Sequence, residues 1–415
     1  MPIYYKKVNE TTSTNESGFR ENKNRFGFDE LKSKLNFSNI NISSSQNNFG
    51  FASSSQEDAS TSLLTGENYF HANSNLTFGQ GHFEPLITKY GSILVVKQGS
   101  DQLKNVILTY HDIGLNSYSN FESFFTNPSA QFLMQTFCVI HVNAPGQEPN
   151  AFNLPNVYSF PTMDQLAEQI IDVCNHFKIN SFFGFGFGAG ANVLSRFALR
   201  CPEKVEGLFL INCSATTSTW SEWFYQKKNI RQLINAQNNF KMLSPAVKDY
   251  LLWNLFGDVN FPERQINTEA VDIYKKYFNS NMVNTHNLAL FIESYINRTN
   301  LNLCRNSLTE NFKCNVLVMS GSYSPLLEES VKMNSRLNPN NSTWINLSDC
   351  GMVLEEQPNK VAEAFKLFLQ GFGYRFKSSE KTNTSTSTMG KSLPCINTTD
   401  NDLSAKHLST FNINF

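Results

Sequence analysis

Four glycines alternate with larger residues in Phe182-Phe183-Gly184-Phe185-Gly186-Phe187-Gly188-Ala189-Gly190-Ala191, between a short apolar strand over 181–185 and a helix reaching about Arg200. A strand that turns through glycines straight into a helix belongs to sheets with helices packed on their faces, which narrows the architecture at once. Two chemistries use such a junction. Gly186-Phe187-Gly188 followed by Ala191 satisfies the dinucleotide fingerprint G-x-G-x-x-A. That fingerprint opens the first strand-helix unit of its sheet and needs an acid ending the next strand. Here several strands come first and the next one ends in Asn212-Cys213, so no nucleotide cofactor is expected. The other chemistry is the nucleophile elbow, with Gly184-Phe185-Gly186-Phe187-Gly188 read as G-x-S-x-G and Gly186 at the serine position. In that turn the flanking Cβ atoms clash, and the middle residue takes a positive φ that glycine adopts more readily than serine. On this reading the turn survives and the nucleophile is gone.

The rest of a catalytic triad can be checked by chain order, which is nucleophile, acid, histidine. The acid position falls in Gly321-Ser322-Tyr323-Ser324-Pro325, where Ser324 is no carboxylate; the alternative, after the preceding strand, holds Asn212. The histidine position falls in Asp349-Cys350-Gly351-Met352, and Met352 cannot carry a proton. A general base needs a titratable group and an acyl-enzyme needs a nucleophile. Gly186, Ser324 and Met352 together therefore describe a degenerate triad with no catalytic residue. The oxyanion side is read as His111, Asp112, Ile113 and Gly114, just after a strand, with Phe185 and Phe187 of the turn. His111-Asp112 has no second pair to make a metal site, so a structural loop bonding backbone groups is preferred. A relocated nucleophile at Cys213-Ser214, partnered by His111, is the enzymatic alternative.

From about Phe83 to Phe376, strand-like runs alternate with helical ones, the pattern of a mostly parallel sheet with helices on both faces. Strands are expected over 92–96, 106–110, 137–142, 207–211, 315–319 and 343–347. Thr162-x-x-Gln165 reads as a capping box, followed by Leu166, Ile170, Val173 and Phe177 on one helical face. Between about 214 and 300 the pattern is helical only, which predicts a helical cap inserted between two sheet strands.

The flanks differ in texture. Of the first 80 residues, 34 are Ser, Thr, Asn or Gln, with scattered phenylalanines and no periodicity, so residues 1–82 read as a disordered arm. Residues 377–415, with 19 Ser, Thr or Asn among 39, read as a second one. Ser378, Ser379, Thr382 and Thr384 follow basic residues there and are candidate phosphorylation sites.

With 34 basic and 35 acidic side chains, the chain lacks the cationic excess of a nucleic-acid binder. No run of about 18 apolar residues is long enough to cross a membrane. Met1-Pro2-Ile3-Tyr4-Tyr5-Lys6-Lys7 has no apolar signal region, so a cytoplasmic protein is expected. Eight cysteines without a C-x-x-C pair read as free thiols of a reducing compartment, with no zinc site.

Several of these stretches together resemble the N-myc downstream-regulated (NDRG) family. They are Val106 to Gly114, Ala144-Pro145-Gly146-Gln147, Met163 to Glu168, Gly184 to Ala191, Val205 to Asn212, Asp349-Cys350-Gly351 and Gln370 to Tyr374. The resemblance spans residues 83–376 and implies an α/β-hydrolase fold without hydrolase activity. It further implies cytoplasmic roles in signalling, stress response, differentiation and trafficking, through unidentified protein partners, with a tail that kinases modify and a peripheral membrane association. The family usually carries Asp where Asn143 stands and Gly-Asp where Gly321-Ser322 stands, so this chain departs further from catalysis. The alternative non-catalytic reading is a small-molecule sensor that keeps the pocket.

Overall fold

The computed structural model describes residues 81–376, apart from 101–103, 239–241, 261–263, 265, 281 and 308. The expected arm over 1–82, all but its last two residues, and the tail over 377–415 with its candidate phosphorylation sites lie outside the described residues. The strands are β1 His82–Thr88, β2 Gly91–Gln98, β3 Val106–Tyr110, β4 Cys138–Val142, β5 Phe182–Phe187, β6 Val205–Ile211, β7 Asn315–Gly321 and β8 Ser342–Leu347. They form one sheet in the order β1-β2-β4-β3-β5-β6-β7-β8. β2 is antiparallel to β1 and to β4, and every pairing from β4 to β8 is parallel. The mostly parallel sheet expected from the alternation is therefore present. β1 was not expected: its exposed and half-buried residues show no clean alternation, because it lies at the sheet edge.

β5 sits near the middle of the order and shows why its residues are what they are. Successive side chains of a strand point to opposite faces. Phe183 and Phe185 therefore share one face, while Gly184 and Gly186 share the other. Phe185 stacks on Phe209 of β6 at 4.9 Å and 6°, and packs against Phe365 at 5.1 Å and Phe124 at 5.5 Å. Those partners come from helices α1 (Ser117–Thr126) and α11 (Pro358–Gln370), which cover that face. On the opposite face the glycines admit helix α4 (Ala189–Arg200) at close range. A Cβ on Gly186 would fall 2.6 Å from Cα of Ala191, and one on Gly184 would fall 2.8 Å from Cδ2 of Leu208.

Helix α3 (Met163–His176) carries the expected capping box, with the Thr162 N–H on Gln165 Oε1 at 2.9 Å and the Gln165 N–H on Thr162 Oγ1 at 3.3 Å. Leu166, Ile170 and Val173 are buried, as their spacing predicted. α2 (Gln131–Thr136) precedes β4, and α9 (Leu327–Arg336) joins β7 to β8. α10 (Val353–Glu356) follows β8. The seven described cysteines are free; Cys138, Cys174, Cys213 and Cys350 are buried, whereas Cys304 is exposed.

Between β6 and β7 lie four helices and no strand among the described residues: α5 Trp220–Asn238, α6 Pro245–Phe256, α7 Thr268–Asn279 and α8 Thr285–Ile296. The cap is tied to the body by a buried ion pair. Arg264, in the α6–α7 connection, donates to both carboxylate oxygens of Glu356 at 2.7 and 3.0 Å, and its guanidinium lies 4.6 Å from the Tyr323 ring. Glu356 Oε2 also accepts from the N–H groups of Gly351 and Met352, at 2.6 and 2.9 Å. Removing one partner of a buried pair leaves the other charge without compensation. Arg264→Ala should thus cost on the order of 3–5 kcal/mol, read as a lower urea midpoint, while Arg264→Ala combined with Glu356→Gln should recover part of the loss.

Candidate functional site

The loops that matter follow the carboxyl ends of the parallel strands, where α/β sheets place their ligands. The loop after β3 is His111 to Asn116, the turn after β5 is Gly188, and the turns after β7 and β8 hold Ser324 and Met352. The strained position is not the one the spacing suggested. Gly186 keeps strand geometry, paired with Tyr110 of β3 and Leu210 of β6. The positive φ falls two residues later, on Gly188, at φ 53° and ψ −116°. The correction has a steric cause. Gly186 and Gly190 are the flanking glycines, whose absent Cβ atoms let the turn close on Ala191 and on the Tyr110 carbonyl. The residue that an elbow would aim at a substrate is therefore Gly188.

That direction is already filled. A Cβ built on Gly188 would stand 2.1 Å from Cγ of Asp112. The Asp112 carboxylate accepts the Ala189 N–H at 2.8 Å, in the first turn of helix α4, and the neighbouring Ile113 N–H favours its charged form. Asn254, from cap helix α6, donates to its other oxygen at 3.3 Å. An N–H after the elbow and one from the β3 loop are the pair that forms an oxyanion hole in α/β hydrolases. In this chain an internal carboxylate takes the first of these, the Ala189 N–H. Burial pushes the Asp112 pKa up to about 6, against the opposing pull of the backbone N–H groups and Asn254.

His111 is equally committed. Its Nδ1 donates to the Asp112 carbonyl at 2.8 Å, and its Nε2 accepts the Ala144 N–H at 3.0 Å, joining the loops after β3 and β4. Burial lowers its pKa to about 4, so the ring is neutral. Gly114 has φ 76° and faces Leu251 of α6, where a Cβ would meet Cδ2 at 2.8 Å. Phe185 does not line the site; its ring belongs to the aromatic core on the α1 and α11 face. Phe187 is fully buried at the end of β5.

The remaining positions are structural. Ser324 accepts the Leu326 N–H at 3.2 Å, a turn at the start of α9. Met352 is buried, and its N–H is held by Glu356. Asn212, at positive φ, accepts from Ser320 Oγ at 2.7 Å. Cys213 is buried with its thiol pushed to about 12 by desolvation, and its Sγ lies 3.7 Å from Ser195 Oγ. Ser214 donates to Glu329 at 3.2 Å. Neither Cys213 nor Ser214 reaches His111, whose two ring nitrogens are both engaged. Among the described residues no group of three His, Cys, Asp or Glu side chains is placed to hold a metal ion. Sequence reasoning missed Asn254, because a lone Asn in a cap helix carries no spacing signal.

Comparison with known proteins agrees with this fold. Solved hydrolases share the fold: a thermophilic esterase from Thermogutta terrifontis superposes with TM-score 0.55 at 18% identity, covering 70% of this chain and 98% of that one. An enol-lactonase from Burkholderia xenovorans gives 0.54 at 16% identity, over 69% of this chain and all of its own. In sequence the chain is 38% identical to protein NDRG3 of Xenopus tropicalis over 303 residues, covering 71% of this chain and 74% of the relative. It is 34% identical to protein NDRG2 of Danio rerio over 307 residues, 74% of this chain and 78% of the relative. The Ndr family model matches residues 84–376, and the chain belongs to the Ndr family, built on the α/β-hydrolase fold.

Proposed function

We propose that this chain is a non-enzymatic Ndr protein that uses a hydrolase scaffold as a platform for protein interactions, in cytoplasmic signalling, stress response or differentiation. The observation that carries the reading is Asp112, whose carboxylate accepts the Ala189 N–H and stands where a side chain on Gly188 would point. A tetrahedral intermediate needs a nucleophile and vacant N–H donors, and here one carboxylate fills the direction of the nucleophile and takes the Ala189 N–H. The triad-related positions, reassigned to Gly188, Ser324 and Met352, supply no group that transfers a proton. The relocated nucleophile fails on chemistry: a thiol at about 12 needs a base, and His111 spends both nitrogens on backbone. A small-molecule sensor at this spot would have to displace the same carboxylate.

The purified chain should neither react with fluorophosphonate probes nor hydrolyse activated esters. Gly188→Ser should not create activity, and it should lower stability by about 2–4 kcal/mol, from positive-φ strain and overpacking against Asp112. Turnover by the wild-type chain that is lost on changing one residue beside Gly188 would overturn the reading.

The titrating groups give a second expectation. Asp112 has its folded pKa raised to about 6, so its ionisation destabilises the fold as pH rises from about 4 to about 6. His111 and His141 have theirs lowered, by burial, to about 4 and about 3, so their contribution is present above about 6.5 and is lost as pH falls toward those values. The two histidines outweigh the one aspartate, and the melting temperature should drop between pH 6.5 and 4. Asp112→Asn should raise stability at pH 7 by about 3 kcal/mol or less, the equivalent of its shift, and make the acid drop steeper. A melting temperature that rises on acidification would contradict this balance.

A further inference from the structure

The two edges of the sheet are built differently. β1 ends one side and β8 the other. An open edge strand is a template for another chain, and proteins blunt such edges with proline, with charged side chains or with a covering element. β1 has two of these devices: Pro85 has no N–H to donate, and Glu84 stands beside it, with Lys89 in the turn to β2. β8 has neither. Its sequence, Ser342-Thr343-Trp344-Ile345-Asn346-Leu347, holds no proline and no charged residue, and only Leu347 is buried.

The register with β7 shows which backbone groups of β8 are not used in the sheet. The Val316 N–H donates to the Asn341 carbonyl at 2.8 Å, and the Ser322 N–H to the Leu347 carbonyl at 2.8 Å. The pairing runs without a shift from Val316 opposite Ser342 to Gly321 opposite Leu347. In a parallel ladder, alternate residues turn both N–H and C=O to the same neighbour. Thr343 and Ile345 therefore face β7 along with Asn341 and Leu347, while Ser342, Trp344 and Asn346 turn theirs outward. No backbone partner for those three lies among the described residues. The register partners Gly186, Leu210, Val318 and Trp344 put the half-buried Trp344 on the sheet face that receives α4. A right-handed β7-α9-β8 crossover places α9 on that face too, where it packs on both strands and leaves Val331 47% exposed.

What fits this edge is a strand whose free groups recur with the same alternation and whose side chains raise no like-charge conflict. A second β8 meets both conditions. Laid antiparallel about a two-fold axis at Trp344, Ser342 comes opposite Asn346 of the partner subunit, and Trp344 comes opposite Trp344 of the partner subunit. Residues opposed in this way exchange both N–H···O bonds, so the seam makes about six backbone hydrogen bonds and uses every outward group. The two indoles meet on one face with Cα atoms about 5.5 Å apart, as a cross-strand aromatic pair. α9 of each copy flanks the seam on the same face, so Val331 adds apolar surface toward the roughly 1,200–2,000 Å² that a stable interface buries. Pairing of like with like also closes on itself, which stops the open-ended growth that an unprotected edge invites.

We propose that β8 is the seam of a homodimer, in which two copies of the chain join antiparallel at Trp344 into one continuous sheet. The seam does not involve Asp112, so its test is independent of whether the site is inert.

Sedimentation velocity of the full chain over a concentration series should show a monomer in equilibrium with a species of twice its mass. Trp344→Lys and Trp344→Glu each set like charges across the axis and should raise the dissociation constant by ~tenfold or more, while an equimolar mixture of the two variants should dimerise again. Asn346→Pro, which removes an outward N–H without touching the β7 ladder, should weaken the dimer in the same direction. Ile87→Lys, at a 70% exposed position on β1, should leave it unchanged. Far-UV circular dichroism that matches the wild type separates dissociation from misfolding. A monomer at every concentration, a dimer indifferent to Trp344→Lys, or two monomeric variants whose mixture stays monomeric would overturn the proposal. So would a dimer that Ile87→Lys breaks and Trp344→Lys leaves intact, since its interface would then lie on β1.

Discussion

The close approach between the start of α4 and the two central strands β3 and β5 is the contact on which the rest depends. A Cβ on Gly190 would sit 2.0 Å from the Tyr110 carbonyl oxygen, and one on Gly186 would sit 2.6 Å from the Ala191 Cα. Both collisions are with backbone, which cannot be repacked away by choosing another rotamer. The helix is therefore seated by the absence of side chains. Its first N–H groups end up facing the loop after β3, where Asp112 waits as an acceptor. The positive φ at Gly188 follows from the same closure, since the chain must leave β5 and start α4 within one residue.

That arrangement binds fold and chemistry together. In a working hydrolase the oxyanion-hole donors are kept vacant and oriented for a charge that develops during reaction. Here the Ala189 N–H is taken in the resting fold by the Asp112 carboxylate. The burial that raises the Asp112 pKa is only partly opposed by Ala189, Ile113 and Asn254, and the carboxylate is held by backbone and cap alike. His111 is a neutral bridge between the loops after β3 and β4.

The cap is fastened by polar contacts of the same kind. Arg264 lies buried against Glu356, whose carboxylate also holds the turn containing Met352, so the loop after β8 and the cap share one anchor. Tyr274 of α7 adds its hydroxyl to the Ser119 carbonyl and to Glu355. These contacts come from the inner surfaces of the cap helices, and helix α5 keeps Trp220 and Phe224 exposed on its outer side. The insertion thus has one side devoted to holding the body and one side left for the surroundings.

The sequence by itself determined the fold class. Alternating apolar runs, the glycine junction and the capping box at Thr162 are local patterns whose period or stereochemistry is readable without a partner. It also determined that Ser324 and Met352 could not serve a triad, because side-chain chemistry is a property of the residue alone. The edge strand β1 and helices α1 and α2 were less legible, since their burial depends on what packs beside them. Only the tertiary structure decided which glycine is the strained one. Four glycines at alternating positions are equivalent in a string, and the carbonyl of Tyr110 and the Cα of Ala191 distinguish them. The same holds for Asp112, which lies 77 positions before Ala189 in the chain, so that no spacing rule could bring its carboxylate onto that N–H.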